Sequence, residues 1–255
     1  MIWPALDIVV PLALVCTLAF TIETALGFGA TLITVALGSF FLDLTAILPA
    51  LVPLNLLVSS YLVSRYARDV DRRFLFTRLL PFMALGLPVG IYAFGSLDAS
   101  MLKRAFGVFL VGVSVLELHR MRVASLSKPG AGQVKHLDTW SERALLLAGG
   151  AIHGAFATGG PMAVYVTSRV IEDKNAYRAT LSALWTILNL AMLASYAWQG
   201  QLDGRAAGLG VGLVPSIAIG MVVGELLHAR VPAKTFRGVV FGMLCLAGLV
   251  LVVRG

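Results

Sequence analysis

Two ionisable side chains lie deep in apolar sequence, Glu23 and His153, six and seven residues ahead of Gly29 and Gly160. Ionisable groups buried in a bilayer are functional candidates by default, and both types exchange protons, so each is a candidate to carry a proton with a ligand. The competing role is a structural ion pair or a hydrogen bond to exposed backbone. Each introduces a glycine-broken stretch: Glu23-Thr24-Ala25-Leu26-Gly27-Phe28-Gly29, and His153-Gly-Ala-Phe-Ala-Thr-Gly-Gly-Pro161. A new short helix is expected after each break, near Ala30 and near Pro161, since proline at a first helical position lacks only an N–H that would be unpaired anyway. The free N–H groups and positive dipole end of such a half-helix hold an anion without any lysine, and glycine lets backbone approach the ligand. The candidate substrate-binding residues are therefore Gly27, Phe28, Gly29, Thr31, Thr158, Gly159 and Gly160, joined by the amides of Asn55 and Asn189. The asparagines serve equally as interhelical hydrogen bonds, Phe28 and Trp185 as packing, and Gly107, Gly112, Gly208 and Gly212 as close helix contacts.

The elements that must position these residues are membrane helices. Of 255 residues, 58% are hydrophobic and 13% charged, with mean hydropathy +0.89. Ordinary soluble domains carry roughly 25% charged residues, which excludes a soluble enzyme, a nucleic-acid module and a disulfide scaffold. No metal-ligand spacing and no hydrolase, phosphate-loop or metalloprotease motif is present, so neither a cofactor nor catalysis is expected. Cys16 and Cys245 lie in apolar runs and read as packing residues.

Eight apolar segments can be drawn, at 6–42, 44–64, 74–96, 102–118, 144–171, 179–198, 206–228 and 235–253. As a single helix the first would extend about 55 Å, against a hydrocarbon core of about 30 Å. A shift of 134 positions lays Leu54-Asn55 on Leu188-Asn189, Pro81 on Pro215, Gly86 on Gly220, Gly90 on Gly224, Ala99 on Ala233 and Lys103 on Arg237. The shared order indicates an internal duplication: a first repeat at 1–118, a cytoplasmic linker at 119–143 and a second repeat at 144–255. If segments one and five each cross once, the Lys and Arg residues divide 12 to 8 between the faces. If each is a helix–loop–helix hairpin that returns to its side of entry, the division is 16 to 4, which the positive-inside rule prefers. The fold class expected is all-α and integral to the membrane, with two four-segment halves that are inverted copies, a plan common in secondary transporters.

The motifs Ala-Leu-Gly-Phe-Gly-Ala-Thr (25–31) and Ala-Thr-Gly-Gly-Pro (157–161), in a chain of this length with eight segments in two related halves, resemble the TauE/SafE family, also called the 4-toluene sulfonate uptake permease family. Many members have three glycines in the first motif, where this chain has Gly27-Phe28-Gly29-Ala30. The resemblance implies a multi-pass protein of the bacterial inner membrane that transports sulfite or an organosulfonate. The residues themselves supply a small-anion carrier working by alternating access, and leave open a carboxylate carrier or a passive anion channel. The expected partners are a small anionic substrate and membrane lipid, with a homo-oligomer compatible and nucleic acid excluded.

Overall fold

The computed structural model describes residues 6–126, 139–228 and 233–254, and every regular element among them is helical. The first half holds α1 (Leu6–Leu26), α2 (Ala30–Gly38) and α3 (Leu44–Arg65). A single turn, α4 (Arg72–Phe74), then passes through a π-helical stretch, Leu75–Leu79, into α5 (Leu80–Ser96), which α6 (Ala99–Leu126) follows. The second half holds α7 (Thr139–Phe156), α8 (Gly160–Thr167), α9 (Lys174–Trp198), α10 (Gly204–His228) and α11 (Ala233–Arg254). The π stretch runs up to Pro81, whose ring nitrogen has no hydrogen to return to the preceding turn, so the ladder widens there.

The expected linker is shorter than its charge suggests. Residues 119–126 continue α6 and residues 139–143 begin α7, while 127–138 lie outside the described residues. Charge marks the end of the apolar run, but good helix formers such as Glu117, Leu118, Met121 and Arg122 carry the helix past it. Six helices are long and apolar enough to cross a membrane among the described residues. Their outward faces are apolar, with Leu14, Leu85, Tyr92, Val108, Val211 and Val222 exposed. A surface of this kind suits hydrocarbon and not water.

Where helices begin at a surface turn, aspartate caps them: Asp71 accepts from the N–H of Phe74, Asp98 from Met101, Asp173 from Ala176 and Asp203 from Ala206. This is the usual way to satisfy a first-turn donor. By contrast α2 and α8 start on Gly29 and Gly159, neither of which has a side chain to give. Both short helices fold back along the helix before them. Cys16 lies 3.9 Å from Thr34, and a Cβ on Gly38 would sit 2.9 Å from Leu12, so α2 runs antiparallel to α1. A Cβ on Gly149 would lie 3.0 Å from Met162, which pairs α8 with α7 in the same sense.

The long helices pair across the halves: α1 with α10, α7 with α5, α3 with α9, and α6 with α11. The first two pairs repeat one geometry. A Cβ on Gly86 would meet Leu147 O and Ala151 N, and one on Gly220 would meet Thr17 O and Thr21 N. One turn on, Gly90 faces Ala151 O and Gly224 faces Thr21 O. The glycines matched by the sequence shift are thus the points where paired helices touch backbone to backbone. Gly107 likewise abuts Gly248 where α6 crosses α11, whereas a Cβ on Gly112 would meet nothing within 4 Å.

The contacts also gather the basic turns at one end of the bundle. Arg78 pairs with Glu142, the N–H of Asp71 donates to Thr180 at 2.9 Å, and Lys174 donates to the His228 carbonyl. Leu12, Gly38 and the Lys103–Asp43 pair (2.6 Å) lie toward the other end.

A Cβ on Gly90 would stand 1.8 Å from the Ala151 carbonyl oxygen. Gly90→Leu is therefore expected to force α5 from α7 and to destabilise by at least the ~1–3 kcal/mol typical of overpacking. Gly112→Leu should melt within a degree or two of the unmodified protein. Thermal unfolding of the detergent-solubilised variants by intrinsic fluorescence checks both.

Candidate functional site

The two breaks meet. Gly29 and Gly160, at the starts of α2 and α8, line one pocket. Phe28 separates them, its ring 3.6 Å from where a Cβ on Gly160 would be. Thr31 and Thr158, one on each side, also line the pocket, as do Asn55 from α3 and Asn189 from α9. Glu23 and His153 close it from α1 and α7. Two of the expected residues lie outside it. Gly159 packs instead: a Cβ there would fall 2.2 Å from the Gly149 carbonyl oxygen and 2.9 Å from His153. Gly27 has φ +85° and presses on α9, where a Cβ would meet the Cα of Arg178 at 3.1 Å. Sequence alone could not tell these glycines from their neighbours, since packing and ligand approach call for the same residue.

The α2 start is not the open donor set that the sequence suggests. Glu23 reaches across the break, and its Oε2 accepts from the Ala30 N–H at 2.8 Å. The carboxylate stands where an anion would otherwise sit and complements the helix dipole. His153 is placed alike in the other half, its Nδ1 3.4 Å from the Gly159 N–H. Both side chains therefore bond the backbone that the breaks expose. At the α8 start Gly160 lines the pocket, no carboxylate bonds the helix start as Glu23 does at α2, and Pro161 has no N–H to satisfy.

The walls are fixed by few bonds. Trp185, on α9, donates its indole N–H to the Gly27 carbonyl at 2.9 Å and stacks on His153, with centroids 5.5 Å apart and planes 12° apart. Asn55 donates Nδ2 to the Thr31 hydroxyl. The Oδ1 atoms of Asn55 and Asn189, and Nε2 of His153, are buried without a hydrogen-bond partner among the described residues. Leu32 and Ala157 complete the lining. They gave no signal in the sequence, because one more apolar residue in so apolar a chain carries no information. No Lys or Arg lines the pocket, and no cluster of three metal-ligating side chains occurs among the described residues.

Comparison with known proteins fits this arrangement. The family model described as "Sulfite exporter TauE/SafE" matches residues 12–251. The chain belongs to the TauE/SafE family. It is 27% identical over 173 residues to the "Probable inner membrane transporter protein TsaS" of Comamonas testosteroni, covering 67% of this chain and 68% of that protein. No solved structure matches. A member of a transporter family with six membrane-length helices among the described residues is a polytopic membrane transporter.

Trp185→Phe keeps an aromatic wall but strands the Gly27 carbonyl, now bonded at 2.9 Å. Leaving a buried acceptor unpaired costs ~1–3 kcal/mol. The variant should melt several degrees lower, and Trp185→Leu, which also loses the stacking on His153, lower still; unfolding curves of the two decide it.

Proposed function

We propose that this protein is a secondary carrier of a small sulfur-containing anion, sulfite or an organosulfonate, in the bacterial inner membrane. The observation that carries the reading is the pocket where two glycine-started half-helices meet, walled by amides, hydroxyls and an indole, with no cationic side chain. A sulfite or sulfonate group is compact and rich in acceptors, and diverging backbone N–H groups suit it without the desolvation that a buried cation would demand. The sulfur assignment comes from the family and from the named relative, not from the pocket; helix ends bind carboxylates equally well, and a small carboxylate is the alternative cargo.

Alternating access follows from treating the halves as inverted copies. The fold-back of α2 and α8, the exchange-symmetric pairing of α1 with α10 and α7 with α5, and the collection of basic turns at one end all support that plan. Two halves rocking about the α3–α9 and α6–α11 contacts would open the pocket to one side at a time.

Glu23 supplies a means of proton coupling. Its carboxylate occupies the first donor of α2, so substrate and carboxylate compete for one helix start. Protonation weakens the carboxylate's hold on Ala30 and removes a charge that repels the anion. Anion and proton then enter together, and binding strengthens as pH falls. His153 serves the second break as a neutral acceptor.

Gly160→Leu fills the pocket from a position where a Cβ meets only Phe28, at the ordinary contact distance of 3.6 Å. It should abolish sulfite flux into proteoliposomes, at least a hundred-fold, while leaving a monodisperse, folded protein. Full transport by this variant would remove the pocket from the account. Flux through the unmodified protein should be blocked by sulfonates but not by acetate or lactate; the reverse pattern would keep the pocket and assign a carboxylate cargo. Glu23→Gln should retain flux and lose its acceleration by an inward proton gradient.

A further inference from the structure

Arg178 is the strongest polar group that the pocket leaves unused. It lies on α9 near its start and is 1% exposed. Its Nη1 donates to the Thr24 carbonyl at 3.0 Å and faces Glu225 at 3.3 Å. Its guanidinium carbon stands 4.1 Å from the centre of the Tyr66 ring, and the Tyr66 hydroxyl donates to the other Glu225 oxygen at 3.0 Å. One nitrogen thus clamps the end of α1 to α9 and α10. The other two, Nε and Nη2, are buried with no hydrogen-bond partner among the described residues. They form the side-on fork of the guanidinium, whose parallel N–H bonds match two oxygens of an oxyanion. Unpaired charged donors away from water are expensive, and each instance in a folded protein calls for an explanation. The clamp does not provide one, since it uses neither nitrogen.

Position supplies it. On α9, Arg178, Ser182, Trp185 and Asn189 follow at spacings of four, seven and eleven, which is one face of a helix. On α3 and the residue that caps it, Asn55, Ser59, Leu62 and Tyr66 follow at the same spacings, and α3 packs on α9. The pocket asparagines therefore lie at one point of this seam and the Arg178–Tyr66 stack at another, about 16 Å along it at ~1.5 Å per residue. The hydroxyl side chains Ser59 and Ser182, both 1% exposed, stand between them. The stack lies at the end of the bundle that collects the basic turns, beside Lys174 and His228.

We propose that Arg178 is a second anion-binding group, which takes the oxyanion on Nε and Nη2 as it passes between the pocket and the basic end of the bundle along the α3–α9 seam. Glu225 balances the guanidinium while no anion is there and competes with one that arrives, so this second station binds more weakly than the pocket. The inference rests on the reading of the pocket as an anion site.

The test is equilibrium binding of radiolabelled sulfite to the purified full chain, repeated with sulfoacetate, alongside flux in proteoliposomes. The unmodified protein should bind in two classes, tight and weak. Arg178→Lys keeps the charge beside Thr24 and Glu225 but lacks the fork, so it should lose the weak class and at least ten-fold of maximal flux, with the tight class retained. Glu225→Gln removes the competing carboxylate and still accepts from Tyr66, so it should tighten the weak class about ten-fold; this variant tests the idea even if Arg178→Lys does not fold. Gly160→Leu should lose only the tight class. Binding by Arg178→Lys in both classes, or a weak class unmoved in Glu225→Gln, would make Arg178 a structural clamp and leave the pocket reading intact. Absence of any sulfite or sulfoacetate binding by the unmodified protein would overturn the pocket reading and this inference together.

Discussion

A backbone N–H or C=O that lies in apolar surroundings without a partner costs ~2–7 kcal/mol when nothing else can bond it. Two breaks in the helical ladder inside an apolar bundle therefore demand compensation, and several polar side chains of the interior supply it. At the first break, Glu23 takes the Ala30 N–H, Trp185 gives to the Gly27 carbonyl, Arg178 to the Thr24 carbonyl, and His228 bonds the Ala25 carbonyl at 2.6 Å. These four partners come from α1, α9 and α10, so the loop is held by three helices at once. The second break is held differently. His153 approaches the Gly159 N–H, and the rest is close packing of glycine on glycine, with Gly149, Gly150 and Gly154 admitting α5 and the loop. The first break is thus held by a polar clasp and the second mostly by apolar packing.

The same economy explains why the pocket holds no cationic side chain. A buried lysine or arginine at the half-helix starts would need its own desolvation offset by a permanent partner. Backbone donors are already present and oriented, and glycine brings them within reach. The glycines divide by task. Gly86, Gly90, Gly220 and Gly224 let long helices touch; Gly27 and Gly29 turn the chain through positive φ; Gly160 leaves room beside Phe28.

Much of this was legible in the sequence because it rests on residue types that are rare inside apolar runs. A glycine pair in an over-long segment, a lone Glu or His before it, and an Asn recurring after 134 positions each stand out against leucine and alanine. Seven of the expected ligand residues line the pocket together with Glu23 and His153. The misreadings have a common cause, which is that sequence gives a residue's type but not its direction. Gly27 and Gly159 face other helices rather than the cavity. Glu23 turns onto Ala30 and occupies one of the two donor sets taken to be free. Arg178, Glu225 and His228 lie near the ends of apolar segments, where the sequence pairs them with nothing; only the fold carries α10 past the end of α1 and brings the three together with Tyr66. The helical reach of α6 and α7 into the polar linker was hidden for a simpler reason, since hydropathy reports what surrounds a helix and not where it stops.

The central claim is that the space between the two half-helix starts holds the transported anion, and Trp185 forms its wall. The chain has four tryptophans, so replacing Trp3, Trp140 and Trp198 by phenylalanine leaves Trp185 as the sole indole reporter. Titrating that protein with sulfite and sulfonates should give a saturable change in Trp185 emission, abolished by Gly160→Leu and weakened as pH rises. An emission that no small anion alters, in a protein that still carries sulfite into liposomes, would place the substrate elsewhere and contradict the account.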